Sequence, residues 1–412
     1  MISGPLTASE RITSIDVLRG VALLGIVIVN AAYFGLPLAA ESGGAINSGV
    51  LVDRITAVVV VVLAEAKFIS IFSILFGFGL AMQRSRRLAT NTGFAAFGIR
   101  RMVLLGVFGL LHVFTLWFGD VLFIYASVGL LLIPMLGLAI PIRLGIAALM
   151  ICWACVFNGL LALLGLLESP VQDPSTMTDG FRGLDAILAA QGDPSQQVWI
   201  DAEVIASREG PFLDALAFRV STWLFGQVFS FFGFAWHILG MALIGSWMHD
   251  RGFFTAGGRG LRRRLMLTVL PGGLLLSIAG GMVFWTEGKN SMPGSVAAMT
   301  QNLAAALMAV GLVSMISLLV DAGRMPLSRI FATVGKMSLT AYLLESLIFT
   351  GLMLHWGLGW FDQISRTGLV GLAFLVYVAT AVFCLAWSRR FKMGPMEWIW
   401  RQGTYFGTRR AS

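Results

Sequence analysis

The chain is built from apolar runs of helix-spanning length, separated by short clusters of charged residues. A helix needs about 20 mostly apolar residues to cross the hydrocarbon core of a bilayer. Only 12% of the 412 residues are charged, which is too few to cover a soluble surface of this size. The sequence therefore predicts an all-α, polytopic membrane helical bundle, a single membrane domain over 1–412 with about ten transmembrane helices. The predicted spans lie near 17–38, 66–83, 102–118, 120–140, 144–167, 219–248, 265–285, 296–320, 337–357 and 368–388.

The positive charges predict the orientation of these spans. If the N-terminus is cytoplasmic, 22 of the 29 lysines and arginines fall on the cytoplasmic side, as the positive-inside rule requires. Both termini are then cytoplasmic, and the protein is a multi-pass membrane protein with the lipid bilayer as its partner. The net charge of +8 does not predict nucleic-acid binding, because the basic residues are divided among loops and form no charged face.

Three segments outside the spans have distinct compositions. The segment 168–216 carries nine acidic residues and two arginines, and the span count makes it an acidic extracytoplasmic loop. Its portion 181–208 is compatible with one or two helices broken near residue 193. The run 55–64 is predicted to be a separate interfacial helix. The end, 391–412, combines tryptophans with basic residues, which is typical of a cytoplasmic interfacial tail.

Ionisable residues within membrane spans are costly and are therefore candidates for function. His112 lies in the outer half of the third predicted span, Asp120 begins the fourth, and Lys67 belongs to the second. We expect these three residues at a similar depth on neighbouring spans, where they would form a catalytic cavity. Each also has a structural alternative: His112 as a helix–helix hydrogen-bond partner, and Asp120 as a helix N-cap.

A second group of candidates lies toward the cytoplasmic side. Glu345 and His237 form a possible proton or substrate site, provided that the helices carrying them touch. The three-residue spacing of Asp16 and Arg19 puts both on one helical face, where an ion pair is possible. No metal site is predicted, and Cys152 and Cys155 lie in an apolar helix without further ligands.

Several motifs resemble those of the YeiB-like family of bacterial inner-membrane proteins. Glu345 stands where this resemblance leads us to expect glutamine. The matching segments run in the family's order: 16–26 followed by Asn30, 67–68, 72–79, 109–112, 119–122, 335–344 and 394–401.

The family in turn is distantly similar to the polytopic transmembrane acyltransferases of the heparan-glucosaminide N-acetyltransferase type, which share an Asp-x-x-Arg-Gly opening. This resemblance implies an acyltransferase that takes acyl-CoA as a cosubstrate, with no bound cofactor, and modifies an envelope glycan or lipid acceptor. His112 would act as general base, Lys67 or Asp120 would tune or orient the site, and Asp16 and Arg19 would organise the donor side.

Two other classes of function remain compatible with the sequence. A proton-coupled secondary transporter of a small molecule would use Lys67, His112, His237 and Glu345 as proton or substrate sites. A non-catalytic membrane partner would act through the acidic loop 168–216. Residues buried near the middle of the membrane favour transport as well as catalysis, whereas the sequence shows no internal repeat of the kind common in transporters.

Overall fold

The computed structural model describes residues 13–38, 50–164, 181–289 and 291–405, and within them the regular elements are helices, with no strand. The predicted end of the tail, 406–412, and part of the acidic loop lie outside the described residues. The helices are α1 (Thr13–Gly35), α2 (Leu51–Leu63), α3 (Lys67–Ala89), α4 (Ala95–Thr115), α5 (Leu122–Met135), α6 (Ile140–Leu164), α7 (Gly183–Ala189), α8 (Gln197–Glu209), α9 (Phe212–Phe229), α10 (Ala235–Asp250), α11 (Arg259–Glu287), α12 (Met292–Asp321), α13 (Ser328–Lys336), α14 (Ser338–Met353), α15 (Arg366–Ser388) and α16 (Pro395–Tyr405).

The described part of the chain contains eight helical stretches that are long and apolar enough to cross a membrane. Two of them combine consecutive helices, α2 with α3 and α9 with α10. The apolar helices α5 and α14, of 14 and 16 residues, correspond to predicted spans but are shorter than a typical transmembrane helix. The protein is therefore a multi-pass helical membrane protein.

A break separates α2 from α3, in agreement with the separate helix predicted over 55–64. Ala66 has a left-handed backbone conformation with a φ of 62°, which an alanine rarely adopts and which interrupts the regular helix. The α2 helix packs against α11 and α15. The break places Lys67 at the first position of α3, beside the end of α2.

Glycines allow pairs of helices to approach closely at two crossings. A Cβ atom on Gly77 of α3 would overlap the carbonyl of Ala242, and one on Gly245 of α10 would overlap the carbonyl of Ile74. The α1 and α13 helices meet in the same way at Gly335. Small residues at membrane helix contacts permit this kind of backbone packing. The two crossings set the positions of α3 and α10, which carry Lys67 and His237, and of α1, which carries Asp16.

The helices α7 and α8, which we call the cap (Gly183–Glu209), cover one end of the bundle. Trp199 of α8 is fully buried, and its ring meets that of Phe218 on α9 at 5.3 Å. The His355 N–H donates to the Ser207 carbonyl at 2.7 Å, and Arg208 donates to the carbonyl of Phe361 at 2.6 Å. These bonds attach the cap to the segment that follows α14.

Candidate functional site

His112 and Asp120 meet at the turn between α4 and α5. His112 lies in the last turn of α4, and its Nδ1 atom is 3.1 Å from Oδ2 of Asp120. Both side chains are fully buried. The other carboxylate oxygen of Asp120 accepts a hydrogen bond from the Phe123 N–H at 2.8 Å, which holds the carboxylate at the start of α5. The N-cap residue of α5 is Val121, so Asp120 lies one residue before the N-cap position predicted for it; its side chain still accepts from the first turn of α5 and also contacts His112.

A glycine makes this approach possible. Gly109 lies one turn before His112 on α4, and a Cβ atom at this position would be 2.5 Å from Oδ1 of Asp120 and 2.6 Å from the Phe123 nitrogen. These separations are below van der Waals contact, so a larger residue would displace the turn that carries Asp120. The local sequence Gly-Leu-Leu-His thus provides both the imidazole and the space for its carboxylate partner.

Aromatic side chains enclose the imidazole of His112. The Tyr342 ring of α14 lies 5.1 Å from the His112 ring, and its hydroxyl donates to the Gly119 carbonyl at 3.4 Å. Trp117 lies 6.4 Å away on another side and stacks on Phe34 at 3.9 Å. Both ring nitrogens of His112 are buried, and neither forms a hydrogen bond of regular geometry among the described residues; Nδ1 faces Asp120, and Nε2 has no polar neighbour of this kind. No role was predicted for Tyr342, because its position in an apolar helix does not show that it faces α4.

A cavity of about 40 Å³, lined in part by Trp117, lies beneath the cap. Its polar lining comes from Glu203 of α8, Arg219 of α9, Ser207 and Thr350. Glu203 is 6% exposed, and burial raises the pKa of its carboxyl group to about 8. In sequence, Glu203 was one of nine acidic residues in the loop, and only the folding of α8 against the bundle distinguishes it.

Lys67 belongs to a different cluster from His112. Its ammonium donates to the Val61 carbonyl at 2.6 Å and to Oε1 of Gln301 at 3.1 Å. Gln301 of α12 also accepts from the Ser277 hydroxyl of α11 at 2.8 Å. Within the described residues, Lys67 forms no hydrogen bond or ion pair with His112 or Asp120. The structure thus joins two of the three residues expected in one cavity and gives the third a separate set of partners.

His237 and Glu345 also occupy separate environments. The Nε2 atom of His237 on α10 lies 2.7 Å from the Ser70 hydroxyl of α3. Glu345 is 3% exposed, and its Oε1 atom has no hydrogen-bond partner among the described residues. The α10 helix packs against α3, α5 and α6, whereas α14 packs against α1, α13, α15 and α16. The predicted pairing of these two residues is therefore not supported by their helix neighbours.

Asp16 and Arg19 form the ion pair that their spacing made possible, with 3.5 Å between Nη1 and Oδ1. The Arg19 side chain is 31% exposed, and its positive charge acts on the guanidinium of Arg101 on α4. Arg101 precedes His112 by eleven residues on α4, which is about 16 Å along the helix axis. We call this part of the bundle the arginine end.

The C-terminal helix α16 connects the arginine end to α14. The Glu397 carboxylate accepts from the backbone N–H groups of Leu339 and Thr340 at 2.7 and 3.1 Å and from the Thr340 hydroxyl at 2.5 Å. These bonds satisfy N–H groups at the start of α14 that have no partner within the helix. Trp400 of α16 lies 3.6 Å beneath the guanidinium of Arg101. The α16 helix thus contacts both helices that carry the His112 site.

Similarity to known proteins extends over nearly the whole chain. The chain is 30% identical to the uncharacterized protein YeiB of Escherichia coli (strain K12) over 406 residues, which cover 96% of each chain. The chain belongs to the YeiB-like family. It is also 26% identical over 414 residues to the uncharacterized protein YxaH of Bacillus subtilis (strain 168), covering 97% of this chain and 96% of that protein.

A family model described as a protein of unknown function (DUF418) matches residues 248–407. This segment begins in α10 and ends beyond α16, so it includes Tyr342, Glu345 and Glu397 but neither His112 nor Asp120. No solved structure matches the chain. Only the relatives that match nearly the whole chain therefore include the region of His112 and Asp120.

Proposed function

We propose that the chain is a membrane acyltransferase of the bacterial inner membrane in which His112 acts as general base. The arrangement of His112 and Asp120 carries this proposal. A carboxylate beside Nδ1 favours the tautomer with its proton on Nδ1 and leaves Nε2 free to accept a proton. Such an imidazole can take the proton from a hydroxyl or amine as that group attacks an acyl carbonyl.

The proposed transfer balances without any further reactant. The acceptor oxygen or nitrogen forms a bond to the thioester carbonyl of acyl-CoA, and Nε2 of His112 takes the acceptor's proton. The carbon–sulfur bond then breaks, and His112 returns the proton to the leaving thiolate. Asp120 stabilises the imidazolium formed between these steps. Tyr342 lies close enough to the imidazole to help fix its position.

The arginine end provides a binding region for the donor's phosphates. Guanidinium groups bind phosphate through paired hydrogen bonds, and Arg19 and Arg101 each supply one such group. Asp16 orients Arg19 through their ion pair. The positive-inside pattern predicts that this end is cytoplasmic and that the cap lies outside. An acyl-CoA held there would extend its acyl group about 16 Å along α4 to reach His112.

The test uses membrane vesicles from cells expressing the chain, because these retain the native envelope acceptors. Acetyl-CoA carrying a labelled acetyl group is supplied to the cytoplasmic face, and label in lipid and glycan fractions is measured together with free CoA thiol. We expect label incorporation to fall about a hundredfold or more in His112→Ala, the usual contribution of a general base. His249→Ala, at the end of α10, is the matched control and should retain activity.

Two results would contradict the proposal. One is label incorporation by His112→Ala equal to that of the parent chain at equal protein level. The other is the absence of chain-dependent incorporation with acetyl, longer saturated acyl and succinyl donors. In that second case, the buried Glu345 carboxyl favours the alternative of proton-coupled transport. Substrate accumulation in proteoliposomes would then require both a pH gradient and Glu345.

A further inference from the structure

The cavity beneath the cap contains a carboxyl group and a guanidinium group that do not pair with each other. Glu203 forms no ion pair with Arg219 or with another described cation, and its buried Oε2 atom lies near the Trp199 indole without a hydrogen bond of regular geometry. Arg219 is 6% exposed and donates a hydrogen bond to the Phe114 carbonyl at 3.2 Å. A buried polar group without a hydrogen-bond partner is costly, so the carboxyl group of Glu203 beside a guanidinium points to a ligand.

The size and walls of the cavity limit the ligand. A volume of about 40 Å³ is enough for a few water molecules or one small polar group. Phe34, Trp117 and Phe218 provide aromatic walls, and aromatic faces attract an ammonium group. The carboxyl group of Glu203 suits the same cation. The arrangement therefore favours a small cationic group bound inside the cavity, with an anionic group beside it at Arg219.

Arg219 also lies next to the outer apolar surface of the bundle. Its guanidinium is 5.9 Å from the ring of Phe212, and its acceptor, Phe114, belongs to the end of α4. Phe114 and Phe212 are each 46% exposed, and farther along the same helices Leu111 and Leu224 are 55% and 54% exposed. Apolar side chains exposed on a membrane bundle face the lipid chains. A ligand anchored at Arg219 could therefore extend acyl chains along this surface.

We propose that the cavity receives the ammonium group of an aminophospholipid at Glu203, with the phosphate of the same headgroup at Arg219 beside it. The ammonium can donate to the Glu203 carboxyl group and favours its ionised form, and the phosphate matches the guanidinium of Arg219. The acyl chains would lie against the exposed surfaces of α4 and α9. The site goes beyond acyl transfer and binds its lipid whether or not His112 is catalytic.

The experiment measures binding of short-chain lipids to the purified full-length chain in detergent, without an acyl donor. Dihexanoyl phosphatidylethanolamine, phosphatidylcholine and phosphatidylglycerol are compared by native mass spectrometry and by quenching of tryptophan fluorescence. We expect phosphatidylethanolamine to bind about tenfold more tightly than the other two. Phosphatidylcholine has no N–H to donate to Glu203, and phosphatidylglycerol has no cation.

Variants then test the two assigned contacts. Glu203→Gln and Arg219→Gln should each weaken phosphatidylethanolamine binding about tenfold. Glu209→Gln at the end of the cap and Arg182→Gln just before it change exposed residues, and each should change the binding less than twofold. The comparison of headgroups on the unaltered chain needs no variant, so it decides the question even if Glu203→Gln does not fold.

Each outcome of these measurements is informative. Equal binding of the three lipids, or unchanged binding by a folded Glu203→Gln, would overturn the proposal. Competition by free O-phosphoethanolamine at equal affinity would support the headgroup chemistry and identify a soluble ligand as its source. Competition only by the lipid would support the membrane source. Loss of acyl transfer in His112→Ala with unchanged lipid binding would show that the two proposals stand separately.

Discussion

Replacing Glu203 with glutamine should remove a pH-dependent loss of stability. Glu203 is buried, and burial raises the pKa of its carboxyl group from 4.5 to about 8. In the unfolded chain the same group titrates near its ordinary value. Between these two pKa values the folded chain retains a proton that the unfolded chain releases. The stability contribution is therefore fully present below pH 4.5 and is lost as the pH rises toward 8.

The size of this effect follows from the separation of the two pKa values. Each pH unit between them lowers the free energy of unfolding by about 1.4 kcal/mol. Because titration is incomplete near both ends of the interval from pH 5 to pH 8, the loss over it is about 3–4 kcal/mol. Glutamine does not titrate, so we expect the stability of Glu203→Gln to fall by about 3–4 kcal/mol less than that of the parent chain over this interval.

The assay is denaturant or thermal unfolding of the full-length chain in detergent at several pH values from 5 to 8.5. Only the difference between variant and parent is interpreted, because contributions from all other groups then cancel. Glu209→Gln changes an exposed residue on the same helix, and its stability should follow the parent at every pH. Parallel curves for Glu203→Gln and the parent would refute the assigned burial of this carboxyl group.

Three further predictions concern packing and helix ends. Gly335→Ala places a Cβ atom against the Asp16 carbonyl and should lower stability by about 1–3 kcal/mol. Gly371→Ala is the control, because its Cβ atom meets no atom within 4 Å. Equal melting temperatures of the two variants would contradict this packing. Glu397→Ala removes the acceptor at the start of α14 and should cost about 1–2 kcal/mol; unchanged thermal unfolding would contradict the role of α16. Asp120→Ala should cost about 1 kcal/mol more than Asp120→Asn, since the asparagine oxygen can still accept from the backbone of α5. Equal unfolding midpoints for the two Asp120 variants would contradict that hydrogen bond.

The sequence by itself determined the helical, membrane-spanning character of the chain. Apolar runs of sufficient length require helices in lipid, because every backbone polar group must find a partner within its own segment. It also determined contacts that depend on helical periodicity, such as the three-residue spacing of Asp16 and Arg19. The break between α7 and α8 near Asp193 was visible as well, since glycine and proline disfavour a continuous helix.

Only the tertiary structure decided which polar residues meet. The turn between α4 and α5 reverses the chain and brings Asp120 back to His112, although eight residues separate them in sequence. The prediction grouped Lys67 with His112 by residue type and expected depth. In the structure Lys67 follows the break at Ala66 and donates to Gln301 instead. Glu203 reaches the cavity beside Trp117 because α8 packs on α9 and on the segment after α14. Helical periodicity fixes which residues share a face, whereas the meeting of two faces depends on close packing between distant helices.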